Sequence, residues 1–495
     1  MYVLFVGFCF FFVPRYAFSF DDEQLAQIFL NRFTYGPRPG EARQLASAGR
    51  KGLQKWVEHQ ISRDLPEPEK LESALKKLKS VNWSNREIIS SFAPKDYKTK
   101  IYDEFSPQAD YAAKEMIMQK TLRAVYSENQ FAEVILDFWF NHFNVDSDFA
   151  DVRFLITTYE RESIKPFIFG KFEDLLIAAS KSPAMLRYFG QNNSSRDRVI
   201  ENYSREVMEL YTLGVGGGYN QSDVENAARI FTGWTLTGKR TFAAFDFNAE
   251  MHDQTEKTVL GLKFKNEGMA EGEAFLRHLA HLKQTAKFIA RKLATRFYGD
   301  SPNQKDIDRI AEVFEKTGGD LKAVYRELMK PEALTEDSIG SKYKTPYHFV
   351  ISAVRYLGGD VSPEISKMGV FESYLDVAKN KPYHCWPPPG YKTVADHWTS
   401  PGSLVLRLNF VQDLIAGKVP TFKVDGFNKV ALPLAELKSD KLDRLKKLNS
   451  DWFENRLTTS RLEQIYSAAE VSGNNRDFIR MSAGYFLSEV EFQKF

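Results

Sequence analysis

The stretch from Phe131 to Phe143, reading FAEVILDFWFNHF, is apolar on almost every side and is broken mainly by Glu133 and Asp137. At about 100° per residue, such a run leaves no polar face wide enough to meet water, so as a helix it must be buried by several neighbours. A helix of that kind needs a large core. The chain has the material for one: 495 residues, 43 % of them hydrophobic, with 40 phenylalanines. Surrounding amphipathic helices are readable as well. Leu321, Val324, Tyr325, Leu328 and Met329 repeat at helical spacing behind a Gly318-Gly319-Asp320 turn and cap, and Pro331 ends the pattern. Ser182-Pro183 and Ser301-Pro302 each read as a cap followed by proline in the first turn. Strand-like alternation is confined to 235–247 and 258–264. The expected fold is therefore mainly α: one large multi-helix domain over residues 20–495, with a small β-hairpin-like insertion around residues 235–264. Residues 65–110 read as a charged surface excursion and 422–449 as a second charged segment.

Lys and Arg total 67 against 65 Asp and Glu, so no net field exists to recruit a polyanion, and nucleic acid is not an expected partner. Two cysteines make neither a disulfide framework nor a structural zinc site. Tyr2 to Val13 is an apolar run ending at Pro14, shorter than the roughly 20 residues a bilayer span requires. With Ala17 and Ser19 as small residues before a cut between Ser19 and Phe20, residues 1–19 are expected to be a signal peptide. The expected address is the periplasm or the extracellular space, with no transmembrane segment after cleavage.

Polar residues cluster in Glu201-Asn202-Tyr203-Ser204-Arg205-Glu206-Val207-Met208-Glu209-Leu210, a predicted helix capped by Ser194 or Ser195 and ended by Gly214. Tyr203, Val207, Leu210 and Tyr211 share one face; Asn202, Arg205, Glu206, Glu209 and Thr212 share the other. Glu206 and Glu209 are near enough to bind one metal or to push one carboxyl pKa upward, with Arg205 holding the other ionised. The same face also reads as a solvated surface with a weak ion pair. His142 lies on the line of Phe131, Ile135 and Phe138, so its ring points inward and must be hydrogen-bonded. It is either a satisfied core histidine or a ligand or base facing Glu206 or Glu209. His252-Asp253 falls in a polar loop. His278 and His281 have the helical i, i+3 spacing of either a chelating pair or a surface pair, and His384, Cys385 and His397 are too sparse for a zinc site. The glycines from Gly214 to Gly218 follow a helix C-terminus without a Lys-Ser/Thr pair, which makes them a cap and connector, not a phosphate loop.

Several of these stretches together resemble a known family. Asn31-Arg32-Phe33-Thr34-Tyr35-Gly36-Pro37, Phe138-Trp139-Phe140-Asn141-His142-Phe143, the Glu201–Gly214 helix, Phe231-Thr232-Gly233-Trp234 and His252-Asp253 occur in order. They are followed by Lys257–Gly261, Phe288–Leu293, Trp398-Thr399-Ser400-Pro401, Arg407–Phe410 and Phe486–Phe492. The series resembles the bacterial domain-of-unknown-function family numbered 1800 over nearly the whole mature chain. The resemblance implies an exported, mostly helical protein, often encoded beside an exported phosphatase/sulfatase-like family numbered 1501, which is the expected partner. It supplies no settled activity, but it marks the Asn-His, Glu-Asn-x-x-Arg-Glu-x-x-Glu and His-Asp elements as signature features that line one site. On that reading Glu206, Glu209 and His142 are the catalytic candidates, and Asn202, Arg205, Asn141 and Trp234 bind substrate. His142, Glu206, Glu209, His252 and Asp253 are the candidate ligands of one divalent transition metal, Zn, Mn or Fe. Two function classes fit: a hydrolase or lyase, metal-assisted in one version, acting on an envelope or extracellular polymer; or a non-catalytic envelope scaffold or accessory subunit. Trp139, Trp234, Trp386 and Trp398 are either stacking platforms for sugar rings or core.

Overall fold

In the Gln130–His142 helix only Asp137 and Asn141 escape burial, as its composition requires. The computed structural model describes residues 20–93, 110–238, 243–334, 340–425, 427, 432–453 and 457–495. The expected signal peptide, residues 1–19, lies outside them, as does 94–109 of the charged excursion. Trp139 sits at the centre of the core: its indole N–H donates to the Tyr325 hydroxyl at 2.7 Å, which donates to the Ile168 carbonyl at 2.7 Å. Phe131 meets the rings of Phe33, Phe169, Phe297 and Tyr325. These contacts gather helices from both halves of the chain around one apolar cluster.

The surrounding elements are mainly α. Leu321, Val324, Tyr325, Leu328 and Met329 are all buried, and Asp320 caps their helix by accepting from the Ala323 N–H at 3.1 Å. Pro183 opens the Pro183–Tyr188 helix. Ser301-Pro302 does not open one. The helix there starts at Gln304, because Asn303 accepts from the Asp306 N–H at 2.8 Å and takes the capping role. The 235–264 insertion consists of two antiparallel hairpins, Trp234–Thr237 with Ala244–Phe247 and Lys257–Val259 with Leu262–Phe264. A third, two-residue pair joins Asp360–Val361 to Phe422–Lys423, too short to leave a periodic signal. The described parts of the charged stretches carry helices that each bury one side: Glu69–Leu75 buries Leu71, Asn85–Phe92 buries Ile88, and Lys441–Phe453 buries Leu445 and Leu448. Among the described residues no helix is long and apolar enough to cross a membrane.

Three buried arginines staple distant parts of the chain by donating to main-chain oxygens. Arg32 donates to the Phe297 carbonyl and to a main-chain oxygen of Phe495. Arg355 reaches the carbonyls of Gly36 at 2.6 Å and Val125 at 2.8 Å, and Glu41 at 3.3 Å. Arg407 holds the Lys344 carbonyl at 2.7 Å and the Gln493 amide oxygen at 2.9 Å.

Candidate functional site

The predicted site residues fall into separate settings. His142 is a core histidine: its Nε2–H donates to the Tyr211 carbonyl at 3.1 Å, and Nδ1 accepts from the Lys292 ammonium at 2.8 Å. Burial and then the neighbouring Lys292 charge hold its pKa well below the usual range, so the ring is neutral. Burial likewise brings Lys292 down to about 8. With both ring nitrogens engaged, His142 has no free lone pair for a metal. His252 is also buried, with Nδ1 donating to the Thr232 carbonyl at 2.8 Å and Nε2 lying 3.2 Å from a Glu271 oxygen. That oxygen accepts from the Lys257 ammonium at 2.8 Å. Burial alone would raise the Asp253 carboxyl pKa. Hydrogen bonds from Arg229 and Thr255 outweigh that and hold it well below the ordinary carboxylate range. The five expected metal ligands thus do not share one site, and among the described residues no three His, Cys, Asp or Glu side chains group as one. Trp234 is fully buried, its indole lying where a side chain on Gly272 would stand, and is core instead of a substrate platform.

The Asn202–Glu209 helix keeps part of its expected chemistry. Ser194 does not cap it; the hydroxyl accepts from the Ile200 N–H instead. Asn202 is exposed at the first turn. Arg205 turns to Glu201 at 3.2 Å and Gln221 at 2.8 Å, and only weakly opposes the carboxylates. Thr212, expected on the polar face, is buried because the helix ends at Glu209. Burial, with the Glu209 charge adding, pushes the Glu206 carboxyl up to about 7. An unfolded glutamate releases its proton near 4.5. The folded state therefore binds the extra proton between those values, and stability falls as pH rises from about 4.5 to about 7, then levels. Solvent at this half-buried site screens the effect. Urea unfolding of the wild type and Glu206→Gln at pH 4.5 and pH 8 measures it: the variant is expected to lose less stability over that interval. Equal losses in both proteins would disprove the raised pKa.

The best-formed depression lies beside the Pro387-Pro388-Pro389-Gly390 turn. The signature Asn141 positions it. The Asn141 side chain donates to the Tyr391 carbonyl at 3.0 Å and accepts the Tyr391 N–H at 2.7 Å. Asn144 donates to the carbonyls of Cys385 and Pro387 at 2.8 and 3.1 Å. Gly390 has φ of +77°, and a Cβ there would stand 2.3 Å from the Asn141 carbonyl oxygen, so only glycine fits. Asn141 is thus a loop clasp, its amide holding both the N–H and the carbonyl of Tyr391. On the outer side of this loop runs an open groove of about 640 Å³, lined by Trp386, the prolines, His384, His397, Lys379 and Lys381. On the inner side is a narrow cleft of about 60 Å³, with Arg296, His348, Tyr35, Lys342 and Asp137 in its wall. Tyr391 and Lys392 line both. Neither Glu206 nor Glu209 is part of either lining.

Trp386 is 66 % exposed. Its backbone carbonyl accepts from the Tyr188 hydroxyl, and Phe149 packs on both rings, with centroids 6.0 Å from Trp386 and 5.2 Å from Tyr188. The bracing thus holds a large apolar ring in water at the edge of the groove. Arg296, His348 and Lys342 were not anticipated from sequence, and Tyr35 appeared only within the 31–37 stretch. The signal was available: His348 stands in a helix, Pro346–Tyr356, whose every residue is buried, the same pattern that singled out His142.

The described residues form a mainly helical protein with a loop-walled cleft beside the 387–390 turn. The chain belongs to the family described as protein of unknown function (DUF1800), whose profile matches residues 28–494. No curated protein and no solved structure matches it.

Proposed function

We propose that the protein is exported and binds a glycan of the envelope or extracellular space along the groove beside the 380–397 loop. The observation that carries this reading is Trp386, an exposed indole fixed at the edge of a groove of about 640 Å³. Sugar rings stack their C–H faces on such a ring, while His384, His397, Lys379 and Lys381 offer donors along its length to hydroxyl groups. Hydrolytic or eliminative chemistry is the second part of the proposal. Its acid is Glu206, which keeps its proton to about pH 7 but stands outside the groove's lining, so the reacting part of the polymer would have to reach beyond the groove to meet it. The phosphatase/sulfatase-like partner belongs to the same proposal and rests on the resemblance alone.

Electrophoresis through gels containing soluble polysaccharides tests binding. At least one polymer should retard the wild type, with Trp386→Ala losing about tenfold in affinity and Trp386→Phe keeping most of it. Equal mobility of wild type and Trp386→Ala in every polymer would overturn the reading. Release of new chain ends from a retarding polymer by the wild type, and not by Glu206→Gln, would identify catalysis. Retardation without release would identify a binding protein.

A further inference from the structure

Arg296 differs from the other buried arginines. It is 8 % exposed, yet it donates to no backbone carbonyl and forms no ion pair among the described residues. Its Nη2 lies 3.4 Å from Nδ1 of His348, and its Nη1 is buried without a hydrogen-bond partner. The guanidinium is held in place between the rings of Phe297 and Phe495, 5.1 and 5.4 Å from their centroids. His348, 3 % exposed, has a second orphan: with Nδ1 facing Arg296 as acceptor, Nε2 carries the proton and has no partner. The Tyr35 hydroxyl, on a residue 1 % exposed, is a third. All three residues line the inner cleft.

Unpartnered donors on three residues of one cavity wall, the donor atoms themselves without solvent exposure, are costly unless an acceptor arrives to use them. The charges around them define that acceptor. Lys342 is neutralised by Asp300 at 2.6 Å, and Asp137 by Lys120 at 2.6 Å. Arg296 is left without an ion pair of its own among the described residues, with Lys344, Arg355 and Arg407 as further positive neighbours of His348. An anion balances these charges, and a monoanion adds the least negative charge beside Asp137. The cavity of about 60 Å³ admits a carboxylate-sized group and little more.

We infer that the inner cleft is a carboxylate seat, in which the carboxylate of a sugar acid accepts hydrogen bonds from Arg296, His348 and Tyr35. The seat follows from the cleft itself; only the choice of a sugar as carrier rests on the glycan reading of the adjoining groove, which meets the cleft at Tyr391 and Lys392.

Calorimetric titration of the full chain with sodium glucuronate, glucose and sodium sulfate at matched ionic strength tests it. Glucuronate should bind, glucose and sulfate at least about tenfold more weakly. Arg296→Met should lose about ten- to a hundredfold in glucuronate affinity, the range of a charge-assisted hydrogen bond, and Tyr35→Phe a few-fold. Should Arg296→Met fail to fold, Tyr35→Phe decides, because it removes only an unpartnered hydroxyl. Unchanged affinity in Tyr35→Phe and in folded Arg296→Met, or sulfate binding as well as glucuronate, overturns the seat. Glucuronate binding that depends on Arg296, in a protein that no polymer retards, supports the seat and removes the glycan reading. Equal retardation of wild type and Arg296→Met by acidic and neutral polymers alike keeps the glycan reading and overturns the seat.

Discussion

Replacing Glu271 with alanine is expected to destabilise the protein by about 3–5 kcal/mol, the usual cost of removing one partner from a buried ion pair. Glu271 is the carboxylate that the Lys257 ammonium and the His252 ring both approach, at 2.8 and 3.2 Å, and all three side chains are at most 2 % exposed. Without it the ammonium stays in the core, with the Asp253 carbonyl as its remaining acceptor and the His252 ring nitrogen 3.5 Å away. The cost arises from the stranded charge, not from lost packing. The double change Glu271→Leu with Lys257→Met removes both charges and should recover most of the loss. Urea unfolding with an unchanged denaturant slope measures both. A double variant no more stable than Glu271→Ala would show that the group stabilises through something other than charge pairing.

Gly390→Ala is expected to disable the cleft and the groove together. The new methyl group has to occupy space 2.3 Å from the Asn141 carbonyl oxygen and 2.6 Å from its side-chain oxygen. It also sits at a positive φ, which costs an L-residue about 1–2 kcal/mol. The turn must lift off the helix, breaking both hydrogen bonds between Asn141 and Tyr391. Asn141→Ala breaks the same two bonds from the other side, leaving two backbone groups unpaired at about 1–3 kcal/mol each where water cannot replace the amide. Tyr391 and Lys392 line both depressions, so either variant should weaken polymer retardation and glucuronate binding alike. The double variant should be little worse than the single ones, since they remove one shared contact. Additive losses in stability would show that Gly390 and Asn141 act independently, against the clasp.

The fold was more legible than the site. Helix faces follow from spacing: Leu321 to Met329 and Phe131 to His142 are buried where their periodicity places them. Cap competition was harder to resolve, because Ser301-Pro302 and Asn303 are adjacent candidates and only the side chain that meets Asp306 decides. The inward direction of His142 was readable, but its partners, Tyr211 and Lys292, lie 69 and 150 residues away. Composition and spacing cannot distinguish a carbonyl and an ammonium from two carboxylates at that distance. Asn141 was correctly marked as special for a reason the sequence does not contain: its partner Tyr391 is 250 residues away. Arg296 escaped notice because a lone arginine on a helix ordinarily reaches solvent, and only the packed structure reveals that this one does not.

The arginine staples also set a schedule for folding. Arg32 cannot be satisfied until Phe297 and Phe495 arrive, the second of them 463 positions away. Arg355 waits in the opposite sense, for Gly36, 319 positions earlier. Closing contacts of such sequence separation means ordering long loops before any gain is realised, which slows folding. The Arg32 contacts therefore cannot all close until both Phe297 and Phe495 are in place, and until then water must satisfy the remaining donors of that guanidinium.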